Sequence, residues 1–221
     1  MLKGTVANLT VSGTISTDGS NGDSYRYAGG IAGFAENATI EKCTNLVEIN
    51  VSNENETIGT YTYAGGIVGA ADSSTNIFEC KNAADITAVS PKGTRADAMA
   101  GGIVGEAFNG GKIQDCENTG IISSHASNGT KYWVSSCAGG IAGAAGLSKI
   151  TDCINRGNVF AEGSISISSD YDSMVLAGGI AGHSNKSGNV SGENFADNIQ
   201  ATGNELITII QQDPLVAFSI D

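Results

Sequence analysis

The chain has 221 residues, 40% of them hydrophobic and 15% charged, which is apolar enough to bury a core and excludes a disordered chain. Its 31 glycines come with only 2 prolines and no Gly-X-Y period, which excludes collagen. Lys and Arg number 11 against 23 Asp and Glu, a formal charge of −12, so neither nucleic acid nor an anionic membrane is expected as a partner.

At the N-terminus, Met1-Leu2-Lys3-Gly4-Thr5 is not followed by the apolar core of a signal peptide. The chain is therefore expected to be intracellular, or an excerpt whose export signal lies elsewhere. No apolar run approaches the roughly 20 residues of a spanning helix, so no membrane insertion is expected.

From there the chain repeats itself. Val6 and Ile15 stand nine residues apart, with Leu9 between them, and that step returns throughout. Ala-Gly-Gly-Ile-(Ala/Val)-Gly begins at Ala28, Ala64, Ala100, Ala138 and Ala177, at steps of 36, 36, 38 and 39 residues. After the first four of these come Ile40-x-x-Cys43-x-Asn45, Ile77-x-x-Cys80-x-Asn82, Ile113-x-x-Cys116-x-Asn118 and Ile150-x-x-Cys153-x-Asn155. Nine residues beyond each of those isoleucines stand Ile49, Ile86, Ile122 and Val159. The fifth unit keeps the step from Val190 to Ile199 but has no cysteine.

Each unit reads as three extended segments: the Ala-Gly-Gly-Ile block with the residues before it, the Ile-x-x-Cys block, and the stretch around the second branched residue. The segments are short, β-branched and bounded by Gly, Asn, Asp and Ser, as strands are. No window keeps a capped helical stripe. One such unit cannot bury its apolar side alone, whereas stacked units share a core. The sequence therefore predicts an all-β, right-handed parallel β-helix (a β-solenoid). It has five full coils of 36–39 residues and one partial N-terminal coil, spanning residues 1–203. Residues 204–221 leave the pattern and are expected to cap the rod or lead into a following domain. Length varies most between the second branched residue and the next Ala, so insertions are expected at one corner. The recurring Gly29, Gly30 and Gly33 mark places where a neighbouring backbone leaves no room for a Cβ. A phosphate loop would need a helix after the glycines, and none is expected.

The blocks Ala64-Gly65-Gly66-Ile67-Val68-Gly69 and Ile113-Gln114-Asp115-Cys116-Glu117-Asn118-Thr119-Gly120 resemble the GLUG-type repeat of bacterial surface proteins. That repeat occurs in large secreted proteins, including the non-catalytic part of some immunoglobulin A proteases. The resemblance covers about residues 5–203. It implies a non-catalytic module of a larger cell-surface or secreted protein, extracellular or wall-associated, acting as rigid spacer and adhesion surface. A host glycan, or a host or bacterial surface protein, is the expected partner. The alternative is a carbohydrate-active or glycan-binding β-helix fragment.

The residues that could carry chemistry are few. Cys43, Cys80, Cys116 and Cys153 share one column and point the same way, which suits buried thiols better than a metal site or disulfides. Cys137 occupies an apolar column and is expected to be buried too. Asn45, Asn82, Asn118 and Asn155 are expected to form an amide ladder. The sequons at Asn8, Asn37, Asn55 and Asn128 arise readily in an Asn- and Thr-rich chain. His125 and His183 lack a nucleophile elbow or zinc motif beside them. Arg26, Arg95 and Arg156 fall at different offsets with no recurring carboxylate pair. Asp115 and Asp152, just before their cysteines, are expected to face solvent by strand alternation. Asp170 and Asp172 do not match a calcium nonapeptide. No catalytic residue, metal or cofactor is expected. Aromatic residues gather before the Ala-Gly-Gly blocks, near the acidic residues Glu54, Glu56, Asp97, Asp170 and Asp172, which are read as loop residues. Tyr61, Tyr132, Trp133 and Tyr171 are the expected contact residues for a glycan or protein.

Overall fold

A computed structural model describes the chain except residues 20–23, 57–58, 73, 129–131, 167–171, 186–188, 205–206, 208 and 220–221. No α-helix occurs among the described residues. The strands stack coil upon coil into a β-solenoid of about 5 turns, every pair parallel. One sheet of six strands holds the segment before each Gly-Gly pair: Tyr25–Gly29, Thr60–Gly65, Ala96–Gly101, Val134–Gly139, Met174–Gly178 and Ile209–Asp213. The remaining 19 strands join in a second sheet that wraps the rest of each coil.

The sequence columns are the register. Ala28, Ala64, Ala100, Ala138 and Ala177 pair in turn. So do Ile40, Ile77, Ile113, Ile150 and Val190, and Ile49, Ile86, Ile122, Val159 and Ile199. The partial unit lies beneath, with Val6 on Ile40 and Ile15 on Ile49. Two apolar columns run side by side inside the rod. Ile67, Ile77 and Cys80 belong to one, and Ala64, Ile86 and Ala88 to the other. Each wholly buried isoleucine contributes about 1.5–3 kcal/mol relative to exposure.

Two local readings are corrected. The Ala-Gly-Gly-Ile block is not one extended segment: the strand stops at Gly29 and a new one starts at Ala32, with a bend between. The bend carries the coil from one sheet to the other, and it is tight. A Cβ on Gly66 would collide with the Gly102 carbonyl and the Asn82 side chain. The exposure of Asp115 and Asp152 is as expected, but alternation is not its cause. Ile40 and Cys43 are three residues apart and both buried, which a straight strand cannot achieve. Lys42, Glu79, Asp115 and Asp152 adopt φ of 52°, 51°, 55° and 57°, a left-handed corner that turns the next cysteine inward.

The C-terminal tail, expected to leave the pattern, stays in it. Ile209–Asp213 pairs with Met174–Gly178, and Val216–Ser219 with Ala181–Ser184. Gln212-Asp213-Pro214-Leu215 thus follows the path of Ala177-Gly178-Gly179-Ile180 without its motif. Asp213 accepts hydrogen bonds from the Leu215 and Val216 amides, which holds the bend in place of the glycines.

Candidate binding cleft

The Gly-Gly bend folds the second strand of each coil back against the first, so the outer surface is concave there. The third glycine of the motif makes this possible: a Cβ on Gly69 would strike the Ala28 backbone, and one on Gly105 the Ala64 backbone. Two outward columns therefore face each other across a cleft. One is Tyr27, Tyr63, Met99, Cys137 and Leu176. The other is Phe34, Ala70, Glu106, Ala144, His183 and Phe218. Aromatic contacts close the ends. Tyr27 meets Phe34 edge-on with centroids 5.4 Å apart, and His183 stacks on Phe218 at 5.7 Å.

Midway along, the cleft opens to about 170 Å³, lined by side chains that include Arg95, Asp97, Glu106, Trp133, Cys137 and His183. That is below the roughly 300 Å³ at which drug-sized ligand pockets begin, so it suits a single side chain or ring. Asp97 lies within a strand and is only 2% exposed, which corrects its reading as a loop residue. Its Oδ2 pairs with Arg95 Nη2 at 2.6 Å, while Oδ1 has no hydrogen-bond partner. Glu106 accepts a hydrogen bond from the Tyr63 phenol, while its Oε2 also has no partner. Burial pushes the Asp97 carboxyl up to about 6 against the opposing pull of Arg95. Burial pushes Glu106 up to about 7, with the Tyr63 bond opposing and the Asp97 charge adding. Burial also lowers His183, favouring neutral imidazole, and pushes Cys137 up to about 12. The cleft wall thus holds two carboxylates, each with one buried oxygen that lacks a partner, and the unpartnered Arg95 Nε, beside an apolar floor.

The expected contact residues fall on the rim. Arg95 lies 4.7 Å from the Tyr61 ring centre and 4.0 Å from that of Trp133. Tyr25, from the preceding coil, stacks on the other face of Tyr61 at 4.5 Å. Both faces of Tyr61 are thus engaged within the protein, which leaves its edge for contact. Tyr132 is 40% exposed and meets Trp133 edge-on. Tyr171 lies outside the described residues. Three of the four expected residues therefore gather at one place, joined by an arginine that the repeat pattern did not single out. Glu106 was missed, and Asp97 was read only as a loop acid near the aromatic edge, because neither recurs. Each nevertheless left a signal: Asp97 breaks the Tyr25, Tyr61, Ser135, Met174 column, and Glu106 stands among Phe34, Ala70 and Ala144.

The other columns behave as expected. Cys43, Cys80, Cys116 and Cys153 are free and buried, each thiol donating to the carbonyl two residues back at 3.2–3.3 Å. Among the described residues no group of three or more His, Cys, Asp or Glu is placed to hold a metal ion. The asparagines form a continuous amide ladder that reaches Asn194 of the cysteine-free fifth unit.

The GLUG motif matches residues 24–52, the first full coil from its opening strand to its third. The chain carries a GLUG-type repeat. The matched residues include a Gly-Gly bend, a left-handed corner at Lys42 and the amide rung of Asn45, the features on which coil stacking rests. No curated protein and no solved structure matches the chain.

Proposed function

We propose that this solenoid is a non-catalytic module of a larger bacterial cell-surface or secreted protein. It acts as a rigid spacer that also presents a recognition edge to a host glycan or a surface protein. The observation that carries the reading is the unbroken axial register. Backbone pairing runs from Thr10–Gly19 to Ile199–Gly203 and the amide ladder from Asn45 to Asn194, so bending the rod would break bonds in several columns at once. Such a rod holds a fixed distance, which suits a spacer. The rim around Tyr132 and Trp133 offers the aromatic surface, at the corner where coil length varies.

Two measurements test this. Small-angle scattering should give the cross-section and length of a stiff rod, and a flexible chain would end the spacer reading. Retention on a glycan array or on immobilised surface protein should be lost on replacing Tyr132 and Trp133 together by Ala, with the melting temperature nearly kept. Retention that survives the change would remove the recognition edge.

A carbohydrate-active role is the second reading, favoured by the two carboxylates of raised pKa facing one cleft. Turnover of a polysaccharide that Glu106→Gln abolishes would establish it.

A further inference from the structure

We propose that the cleft between Asp97 and Glu106 is a binding site for a primary ammonium group on an alkyl stem, the chemistry of a lysine side chain on a partner protein. The site goes beyond the spacer reading and stands whether or not the rim also adheres to glycans.

The chemistry of the walls selects the ligand. Asp97 and Glu106 both line the cleft, and Asp97 Oδ1 and Glu106 Oε2 are each buried in its wall without a hydrogen-bond partner. Buried acceptors without partners are costly, so the fitting occupant is a donor. The charged and titratable groups around them are Arg95, Tyr63, His183 and Cys137. Of these, Arg95 is cationic, but it is bonded to Asp97 Oδ2 and covered by Tyr61 and Trp133. With both carboxylates ionised the cleft carries a net charge of −1, from two carboxylates and one guanidinium. One ammonium neutralises it, and its three N–H donors can serve both free oxygens. Below lies an apolar strip of Met99, Ala144 and Met174, against which a methylene stem can pack.

Other occupants fit less well. A divalent ion would find two carboxylates and a guanidinium, not a coordination shell. A neutral sugar wants several donors as well as acceptors, and of the Arg95 fork Nη2 is bonded to Asp97, which leaves Nε as the one guanidinium donor shown buried without a partner. The overall charge of −12 draws cations toward the rod.

The test follows amide and indole resonances of the intact chain while Nα-acetyl-lysine methylamide is added. Saturable shifts should centre on Trp133 and strands Ala96–Gly101 and Val104–Ala107. Apparent affinity should strengthen several-fold from pH 5.5 to pH 8, as the carboxylates ionise while the amine, near 10.4, stays charged. The Nε-acetylated analogue should not shift these signals. Asp97→Asn or Glu106→Gln should each weaken binding at least tenfold, with the amide spectrum confirming the fold. Should one variant fail to fold, the other and the acetylated probe decide. Equal binding of the acetylated probe, undiminished binding by the folded variants, or no saturable shift would overturn the proposal. So would binding of methyl glucoside or calcium at these residues in place of the amine.

Discussion

Asn82 donates from Nδ2 to Oδ1 of Asn118 across 2.7 Å, and Asn118 passes the same bond to Asn155 at 2.8 Å. Each of these amides also closes a local turn. Asn118 Nδ2 donates to the Gly120 carbonyl, and its Oδ1 accepts from the Gly120 amide. The ladder lies directly under the Gly-Gly bend, where Gly102 leaves the space that the Asn118 side chain occupies. The amide and the glycine are thus one device.

Replacing Asn118 by Ala should therefore cost about 3 kcal/mol. It strands the Asn82 donor and the Asn155 acceptor in a buried column and frees two backbone groups. The terminal rung Asn194, partly exposed and bonded on one side of the stack, should cost about 1 kcal/mol on the same change. Denaturant midpoints of the two variants measure this, and equal losses would show that the ladder does not act through burial.

Gly102→Ala should destabilise by about 2–3 kcal/mol, because its Cβ meets the Gly140 carbonyl and Asn118 and the bend has no slack. Gly110→Ala meets no atom within 4 Å but sits at φ +73°, so it should cost about 1 kcal/mol from backbone strain alone. Thermal melts of both variants check the order, and a milder Gly102→Ala would mean the coils can spread.

In the native protein the thiols of Cys43, Cys80, Cys116 and Cys153 should label slowly at pH 8, and quickly once denatured. Cys137, wholly buried and pushed up to about 12, should be the slowest. Cys116→Ser should cost about 1–2 kcal/mol, since the hydroxyl can keep the bond to the Gln114 carbonyl but loses the apolar contact of sulfur. Rapid labelling of the native column would place it in water and contradict the packing.

Asp97 and Glu106 should make the rod more stable in mild acid. Their folded-state pKa values lie near 6 and 7, above the ordinary carboxylate values. The folded chain thus holds protons that the unfolded chain releases, and their contribution to stability falls as pH rises from about 4 to 7. The combined effect is on the order of a few kcal/mol. The melting temperature should drop between pH 5 and pH 8, and an Asp97→Asn, Glu106→Gln double variant should show a flatter profile. An unchanged slope in that variant would place the proton uptake elsewhere.

The solenoid was legible because its requirement is periodic. Each coil must place a branched side chain above the last, so Ile40, Ile77, Ile113 and Ile150 recur at the spacing the stack demands, and the buried thiols and amides recur with them. The Gly-Gly bend was legible as a close approach, but a corner and a flat strand fit it equally, since glycine alone does not say whether or which way the chain turns. The left-handed residue before each cysteine was hidden for a related reason. Lys42, Glu79, Asp115 and Asp152 share a backbone angle and no side-chain chemistry. The tail escaped because a segment without glycine can still follow the path once Asp213 supplies the bonds.

By itself the sequence determined the coil, its register and its buried columns, because those are properties that every repeat must satisfy alike. Only the tertiary structure decided where the outer surface becomes concave, and which unrepeated side chains meet there. Asp97 and Glu106 come from two strands and Arg95 from the residue just before the first of them, and they form a site only because the Gly-Gly bend brings the two strands together. Trp133, from the next coil, joins them because stacking brings its ring over Arg95. Periodicity is written along the chain, whereas convergence of single residues depends on the fold and leaves no period to read.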